Sequence, residues 1–187
     1  METEIRKHFW YYEKEILPKI KEIKGVTQID KGYHWLLTHT EGVVFRGIYF
    51  AVHLKQDPIP VIFACAGHDL ARTHDGDCLL HGPQAVPLVQ ELMSKFDPLL
   101  SQEIKTKICF AIENHSIGTV APDYISACLR DADRVRLAWE LWYQEKFFNT
   151  DIAKKIASWS AKQFLEYENH CLWRRKTTDH EGILLHQ

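Results

Sequence analysis

Residues 59–70 read IPVIFACAGHDL, and the character of this stretch decides the fold. The run is apolar on nearly every side, which is typical of a helix that is buried all round. Pro58 stands directly before it, and a proline disfavours helical backbone at the residue that it follows, so we expect the preceding helix to end there. The run closes on His68 and Asp69, where a buried carboxylate is costly unless a cation or a hydrogen-bond donor compensates it. The stretch therefore predicts a central buried helix with a polar, cation-binding end.

Helical spacing of apolar residues continues on both sides of this stretch. Before it, one apolar stripe runs from Ile5 to Ile23 and stops at Gly25, and a second helix is predicted from about Tyr33 to Lys55. After it, the Asp- and Gly-rich residues 71–80 predict a loop, and further helices are predicted at 82–96, 97–114, 122–143 and 151–174. The fold class predicted is all-α, a compact bundle of about seven helices.

Helix starts are marked by capping residues in the sequence. Asp97 is predicted to cap one helix, with Pro98 at its first position, and Asp151 is predicted to cap the last one. Pro122 is predicted to open the helix between them. A chain of 187 residues corresponds to about one domain, so residues 1–187 are predicted to form a single domain, with its motif-bearing core at 33–143 and flanking helices at both ends.

The composition excludes several classes of protein. With 45% hydrophobic residues and a net charge of -2, the chain is expected to pack a core, and it lacks the broad positive charge that binding to extended nucleic acid usually needs. The longest clean apolar run, residues 61–67, is far short of the roughly 20 residues of a membrane helix. The charged N-terminal residues lead into no signal core, and five cysteines without a CxxC pair suit reduced thiols. We therefore expect a cytoplasmic protein without a membrane partner.

Aromatic residues cluster at Trp10-Tyr11-Tyr12 and again around Trp139 and Trp142. Without a basic field, such clusters are more typical of core or interface packing than of base-stacking platforms. They are compatible with a homodimer.

Histidine is the unusual feature of the composition, with eleven in the chain, and it is the commonest metal ligand among side chains. Adjacent His68 and Asp69 can both reach one metal ion, or the carboxylate can bridge two. The second His-Asp pair, His74-Asp75, lies in the predicted loop, and we expect it to shape that loop, with contact to substrate as the alternative. Four further candidates, each on its own predicted helix or helix end, could complete the coordination sphere: His39, His81, His115 and Asp133.

The resulting order H…HD…H…H…D resembles the HD-domain superfamily of metal-dependent phosphohydrolases. It is most similar to the two-metal branch with HD, HG, AIxxHT and AD motifs, which includes symmetrical diadenosine tetraphosphate hydrolases. The chain carries His68-Asp69, His81-Gly82, AIENHS at 111–116 and Ala132-Asp133. Ser116 stands where that branch usually has threonine, and the loop after the HD pair is longer. The resemblance covers about residues 39–136 and implies an HD-type helical domain.

The resemblance also implies a ligand set. It assigns Asp69 as the bridge between two metals, and the full set of implied ligands is His39, His68, Asp69, His81, His115 and Asp133. Imidazoles and carboxylates without thiolates suit Fe²⁺, Mn²⁺, Co²⁺ or Zn²⁺. A one-metal site, with His81 and His115 as polar neighbours, is the alternative. Asp131 is the alternative to Asp133, because the sequence reads Asp-Ala-Asp there.

The function implied is a metal-dependent hydrolase of phosphate ester or anhydride bonds, acting on a nucleotide or other small phosphorylated metabolite. His68 and Asp69 would form its catalytic centre, with a metal-activated water as nucleophile. Arg72 and Arg134 are candidates for binding phosphate oxygens, because guanidinium groups hydrogen-bond them in a bidentate manner. Asp131 is a candidate for orienting a ligand histidine.

Two other functions are compatible with the same residues. HD-type di-iron oxygenases carry the same ligand order and need Fe²⁺ and O₂. A non-catalytic sensor or scaffold would keep the metal only for stability. Turnover on phosphate esters, or oxygen consumption with iron, distinguishes these functions.

Overall fold

The structure is a computed structural model, and it describes residues 1–24, 31–72, 80–117, 120–135 and 145–158, with the backbone alone over 31–37. Within these ranges the regular elements are helices, which confirms the all-α prediction. No helix in the described ranges has both the length and the apolar character that a membrane crossing requires.

The N-terminal stripe folds as one helical path with a wider turn in its middle. Helix α1 spans Glu2–Tyr11, a π-helical segment spans Tyr12–Ile16, and α2 spans Leu17–Lys24. The stripe residues Tyr12 and Ile16 are fully buried, as the spacing predicts. A π turn holds an extra residue, which readjusts the buried face along a long helix.

The apolar stretch at the centre of the sequence forms the centre of the bundle. Helix α3 spans Lys31–His53, and α4 spans Pro58–Gly67, nearly every residue of which is buried. Asp57 caps α4 by accepting a hydrogen bond from the backbone N–H of Ile59 at 2.9 Å. Helix α4 contacts α3, α5, α6 and α7, so its C-terminal end lies where the other helices converge.

Close packing of α4 depends on a glycine. A Cβ atom added to Gly47 on α3 would lie 2.5 Å from Sγ of Cys65 on α4, which is closer than atoms can approach. The absence of a side chain at this position therefore lets the two helices approach, and it brings the middle of α3 beside the end of α4.

Four further helical elements complete the described fold. They are α5 (His81–Ser94), α6 (Gln102–Glu113), α7 (Tyr124–Arg134) and α8 (151–158), with a 3₁₀ turn at Glu145–Phe147 before α8. The parts of the predicted helices at 136–143 and 159–174 lie outside the described residues.

Three predicted helix starts are wrong, each because a neighbouring residue supplies the cap. Ser101, in extended conformation, caps α6 by accepting from the N–H of Ile104, so the helix begins later than Asp97. Serine is as good an N-cap as aspartate, and the sequence does not rank them. Asp123 caps α7 in the same way, one residue after the expected Pro122.

The start of α8 is the third correction. Thr150 accepts a hydrogen bond from the N–H of Ala153 at 3.2 Å and is the cap, so Asp151 is the first helical residue. Thr150 is held in place because its own N–H is bound by the carboxylate of Asp131 at 2.8 Å.

Candidate metal centre

Six side chains from the ends and middles of five helices meet at the C-terminal end of α4. His39 lies in α3, His68 and Asp69 form the turn after α4, and His81 is the first residue of α5. His115 follows α6, and Asp133 lies in the last turn of α7. The predicted α4 extends to Leu70, but the observed helix ends at Gly67, so His68 and Asp69 project from a turn.

One half of the cluster is formed by His39, His68, Asp133 and one oxygen of Asp69. The Nε2 atoms of His39 and His68 are 3.3 Å apart. Oδ1 of Asp133 lies 3.2 Å from Nε2 of His39 and 3.8 Å from that of His68. Oδ2 of Asp69 lies 3.6 Å and 3.5 Å from the same two nitrogens. Two ring nitrogens and two carboxylate oxygens thus point at one small volume.

The other half is formed by His81, His115 and the second oxygen of Asp69. The Nε2 atoms of His81 and His115 are 2.8 Å apart, and Oδ1 of Asp69 lies 3.3 Å from Nε2 of His81. A Cβ atom on Gly82 would lie 2.6 Å from the carbonyl oxygen of Ile112, so glycine here lets the start of α5 approach the end of α6. Asp69 is shared, with one oxygen in each half.

Hydrogen bonds to the backbone set the orientation of two of the rings. Nδ1 of His68 lies 2.7 Å from the carbonyl oxygen of Cys65, and Nδ1 of His115 lies 2.7 Å from that of Ile112. A carbonyl only accepts, so we assign the proton of each ring to Nδ1. The Nε2 lone pairs of His68 and His115 are then directed into the cluster, as in histidines that bind metal ions.

The cluster fits a divalent metal ion by three criteria. The six residues form three overlapping groups, and within each group the three ligand atoms lie within 4.8 Å of one another: His39, His68 and Asp69; His68, His115 and Asp133; and Asp69, His81 and His115. Oδ1 of Asp69 is buried and accepts no hydrogen bond from any residue that the structure describes. The donor set of imidazoles and carboxylates matches borderline divalent ions. The geometry also favours Asp133 over Asp131 as the ligand from α7.

Comparisons with known proteins identify the fold. No protein-family model matches the chain, and no curated protein matches it. Among solved structures, the crystal structure of a predicted HD superfamily hydrolase from an uncultured Thermotogales bacterium matches with a TM-score of 0.67 and 23% identity, over 87% of this chain and 92% of that one. The chain has the HD-domain fold. The structural likeness thus confirms the HD-type helical fold that the resemblance implies.

Burial and charge act in opposite directions on the pKa values of the two carboxylates in this cluster. Burial raises the pKa of Asp133, but the hydrogen bond with His39 and the neighbouring His68 and His115 lower it further, and the net pKa lies well below the usual value. Burial likewise opposes ionisation of Asp69, yet His68 and Arg72 lower its pKa overall. Both carboxylates are therefore charged at neutral pH and available to a cation.

His115 is held neutral by its surroundings. Burial, reinforced by the nearby His68, lowers its pKa from 6.5 to about 4, although Asp133 raises it in part. A histidine must be deprotonated to bind a metal ion. His115 therefore meets that condition at neutral pH and in mildly acidic solution.

Of the two arginines predicted to bind phosphate, one lies at the centre and the other contacts the backbone. Nη1 of Arg72 donates to Oδ2 of Asp69 at 3.2 Å, and its side chain is 19% exposed. Arg134 instead donates to the carbonyl oxygens of Phe147 at 3.0 Å and His115 at 3.3 Å.

The carboxylate of Asp131, the candidate for orienting a ligand histidine, contacts the start of α8. Its carboxylate accepts hydrogen bonds from the N–H and Nδ2 of Asn149 and from the N–H of Thr150, at 2.8, 2.9 and 2.8 Å. Among the described residues, no hydrogen bond joins it to a ligand histidine. It faces α8 because residues two apart on a helix point to nearly opposite sides, and Asp133 occupies the inner side.

Sequence reasoning missed several residues at the centre. The hydroxyl of Ser116 lies 3.1 Å from Nε2 of His115 and 3.3 Å from Nε2 of His81. Its position directly after His115 is a signal that could have identified it. Lys24 and Arg130 donate to backbone carbonyls beside ligand residues, and no motif marks either one.

Proposed function

We propose that the protein is a metal-dependent phosphohydrolase that acts on a nucleotide or another small phosphorylated metabolite. The observation that carries the proposal is the convergence of four histidine Nε2 atoms and two carboxylates at the end of α4. The structural neighbour is named a predicted HD superfamily hydrolase, which supports the same class of reaction.

The chain's own residues supply the binding site for one or two divalent ions, Fe, Mn, Co or Zn. A bound ion would supply Lewis acidity toward phosphate oxygens and lower the pKa of a coordinated water. Asp69 supports a two-ion site, because its Oδ2 faces His39 and His68 while its Oδ1 faces His81. His68 is kept in its ligand orientation by the carbonyl of Cys65.

Arg72 supports a phosphorylated substrate. Nη1 of its guanidinium contacts Asp69, and the side chain as a whole is 19% exposed, so the residue lies at the edge of the centre. A planar guanidinium binds phosphate oxygens with two parallel hydrogen bonds. Arg72 is therefore the residue that we assign to holding a phosphate oxygen next to the metal ligands.

The burial of the ligands supports a small reacting group. The side chains of His39, His68 and Asp69 are 6%, 1% and 2% exposed, whereas Asp133 is 25% exposed. Substrate would reach the centre from the side of Asp133 and Arg72. A phosphoryl group is small enough to enter there while the rest of a nucleotide or metabolite stays outside.

The test is metal-dependent turnover by the protein and by one pair of variants. Protein stripped with chelator and reloaded with Mn²⁺, Fe²⁺, Co²⁺ or Zn²⁺ is assayed with p-nitrophenyl phosphate and a panel of nucleotides. Asp69→Asn removes the shared carboxylate charge and is expected to lower both metal affinity and turnover by more than about 100-fold, since even residues that only orient ligands contribute 10- to 100-fold. Asp151→Asn, a 91% exposed aspartate on α8, is the matched control and should retain both.

Three results would contradict the proposal. Full turnover by Asp69→Asn would show that the reaction does not use this centre. Oxygen consumption with Fe²⁺ alone, without release of phosphate under any metal, would assign the site to an oxygenase. Metal binding without turnover on the whole panel would leave a metal-stabilised scaffold.

A further inference from the structure

Besides Arg72, four basic side chains in the described part of the chain donate to backbone carbonyls in or near the ligand-bearing segments. Arg46 donates to the oxygen of Ala132 at 2.6 Å, and Lys24 to that of Leu70 at 2.6 Å. These carbonyls belong to the residues next to Asp133 and Asp69. Backbone positions beside ligands are thus held by charged hydrogen bonds, which are about twice as strong as neutral ones.

The turn that carries His115 is held in this way by two arginines one helical turn apart on α7. Arg130 donates to the carbonyl oxygens of Val120 at 2.8 Å and Asn114 at 3.1 Å. Arg134 donates to the carbonyl oxygen of His115 itself at 3.3 Å and to that of Phe147 at 3.0 Å. The two guanidinium groups therefore bridge α7 to the end of α6 and to the 3₁₀ turn.

Both the ring and the main chain of His115 are therefore held by hydrogen bonds. Its ring is fixed by the carbonyl of Ile112, and its main chain is fixed by Arg134. A ring that lies 2.8 Å from Nε2 of His81 can share a metal ion with it only if this orientation is kept. Loss of the main-chain contact would let the turn move and the lone pair swing out of the cluster.

We propose that Arg134 is a positioning residue that orients His115, and through it the half of the centre formed by His81 and His115, instead of binding substrate. The inference rests on the proposed function only in that His115 binds a metal ion. Arg134 acts through its hydrogen bonds to the backbone oxygens of His115 and Phe147. Arg72 is the arginine that we assign to contacting the substrate.

The test compares Mn²⁺ binding, measured by isothermal titration, in the full chain and its variants. Arg134→Met keeps most of the side-chain volume and removes both donors, and it is expected to weaken Mn²⁺ binding by about 10- to 100-fold, as for other residues that orient ligands. Arg134→Lys keeps the charge but not the planar fork that reaches two carbonyls, so part of the binding should return. Arg6→Met, on an arginine whose side chain is 78% exposed on α1, is the matched control and should bind as the parent does.

Double variants distinguish a specific effect of Arg134 on His115 from a general loss of protein stability. Arg134→Met combined with His115→Ala should weaken Mn²⁺ binding hardly more than His115→Ala alone, because both act on the same ligand. Combined with His39→Ala, the two losses should instead add. Equal coupling to His39 and His115 would overturn the inference and show that Arg134 only stabilises the fold.

The KM for substrate and the tautomer of His115 also test the role of Arg134. Unchanged Mn²⁺ binding together with a raised KM for substrate would make Arg134 a substrate-binding residue, against the proposal. In chelator, ¹⁵N spectra should show the His115 proton on Nδ1 in the parent protein. The same spectra of Arg134→Met and Arg134→Lys should show a mixture of the two tautomers. If the parent protein binds no Mn²⁺, the proposed function is contradicted, and the metal-free spectrum alone tests the role of Arg134. An unchanged His115 tautomer in Arg134→Met would then overturn the positioning role.

Discussion

The two halves of the centre share Asp69 but are built differently. The half with His39 and His68 adds a second carboxylate, Asp133, whose Oδ1 lies 3.2 Å from Nε2 of His39. In the half with His81 and His115, Oδ1 of Asp69 contacts His81, a ligand atom of Asp133 lies within 4.8 Å of that of His115, and the neutral hydroxyl of Ser116 contacts both rings. The first half therefore carries more negative charge around the same number of imidazoles.

The additional carboxylate of the first half determines which half should bind metal more tightly. Each carboxylate oxygen adds attraction for a divalent cation in a poorly hydrated site, whereas a neutral hydroxyl adds little. We infer that the first half fills at lower metal concentration and that the second half is the one sensitive to small changes.

Removing one histidine from each half tests this comparison with the largest expected effect. His81→Ala should remove the weaker of two binding events in a Mn²⁺ titration and leave the tighter one, because the first half keeps all its ligands. His39→Ala should weaken the tighter event by more than about 100-fold, since a direct ligand contributes more than one that only orients it. A single binding event in the parent protein, lost in both variants, would mean that the six residues form one site.

Acid should destabilise the metal-free protein because the folded state keeps His115, in the second half of the centre, neutral. The unfolded chain protonates His115 near pH 6.5, whereas burial delays protonation in the folded chain to about pH 4. Between these values the unfolded state binds more protons, so stability is lost as the pH falls from about 7 toward 4. The difference corresponds to about 3 kcal/mol at most.

Chemical denaturation in chelator at pH 7, 6 and 5 measures this loss, with His115→Gln as the comparison. The glutamine variant has no ionisable group at this position, so its free energy of unfolding should fall less over the same range. Asp133 belongs to a lower window, because its depressed pKa affects stability only as the pH falls below about 4. Equal pH dependence in parent and variant would contradict the burial of His115.

Where the information is local, the sequence predicts which side chains lie together at the end of α4. An apolar helix ending in His68 and Asp69 is contiguous, so the residues alone indicate both its burial and its need for a cation. The choice between Asp131 and Asp133 is not local in this sense. It depends on which side of α7 faces α3, and only the packed structure shows that Asp133 faces His39 while Asp131 binds the backbone at the start of α8.

The role of Arg134 lies beyond sequence reasoning for the same reason. Its partners His115 and Phe147 are 19 residues before it and 13 after it, and both bonds go to backbone oxygens, which carry no sequence signature. An arginine beside a ligand is equally consistent with a phosphate-binding group. The start of α6 is also not determined by local sequence. Asp97 and Ser101 are both good N-cap residues, and the folded structure uses Ser101.

Ser116 offers the finest test of the difference between the halves. Its hydroxyl contacts two ring nitrogens at 3.1 and 3.3 Å, but it is neutral and its residue is exposed, so Ser116→Ala should remove about 1 kcal/mol, or about fivefold in the weaker Mn²⁺ affinity. The tighter binding event should not change. Ser94→Ala, on an exposed serine that bonds the carbonyl of Glu91, controls for loss of a hydroxyl. A 100-fold loss would instead place Ser116 among the direct ligands, and the two halves would then be more alike than their charges indicate.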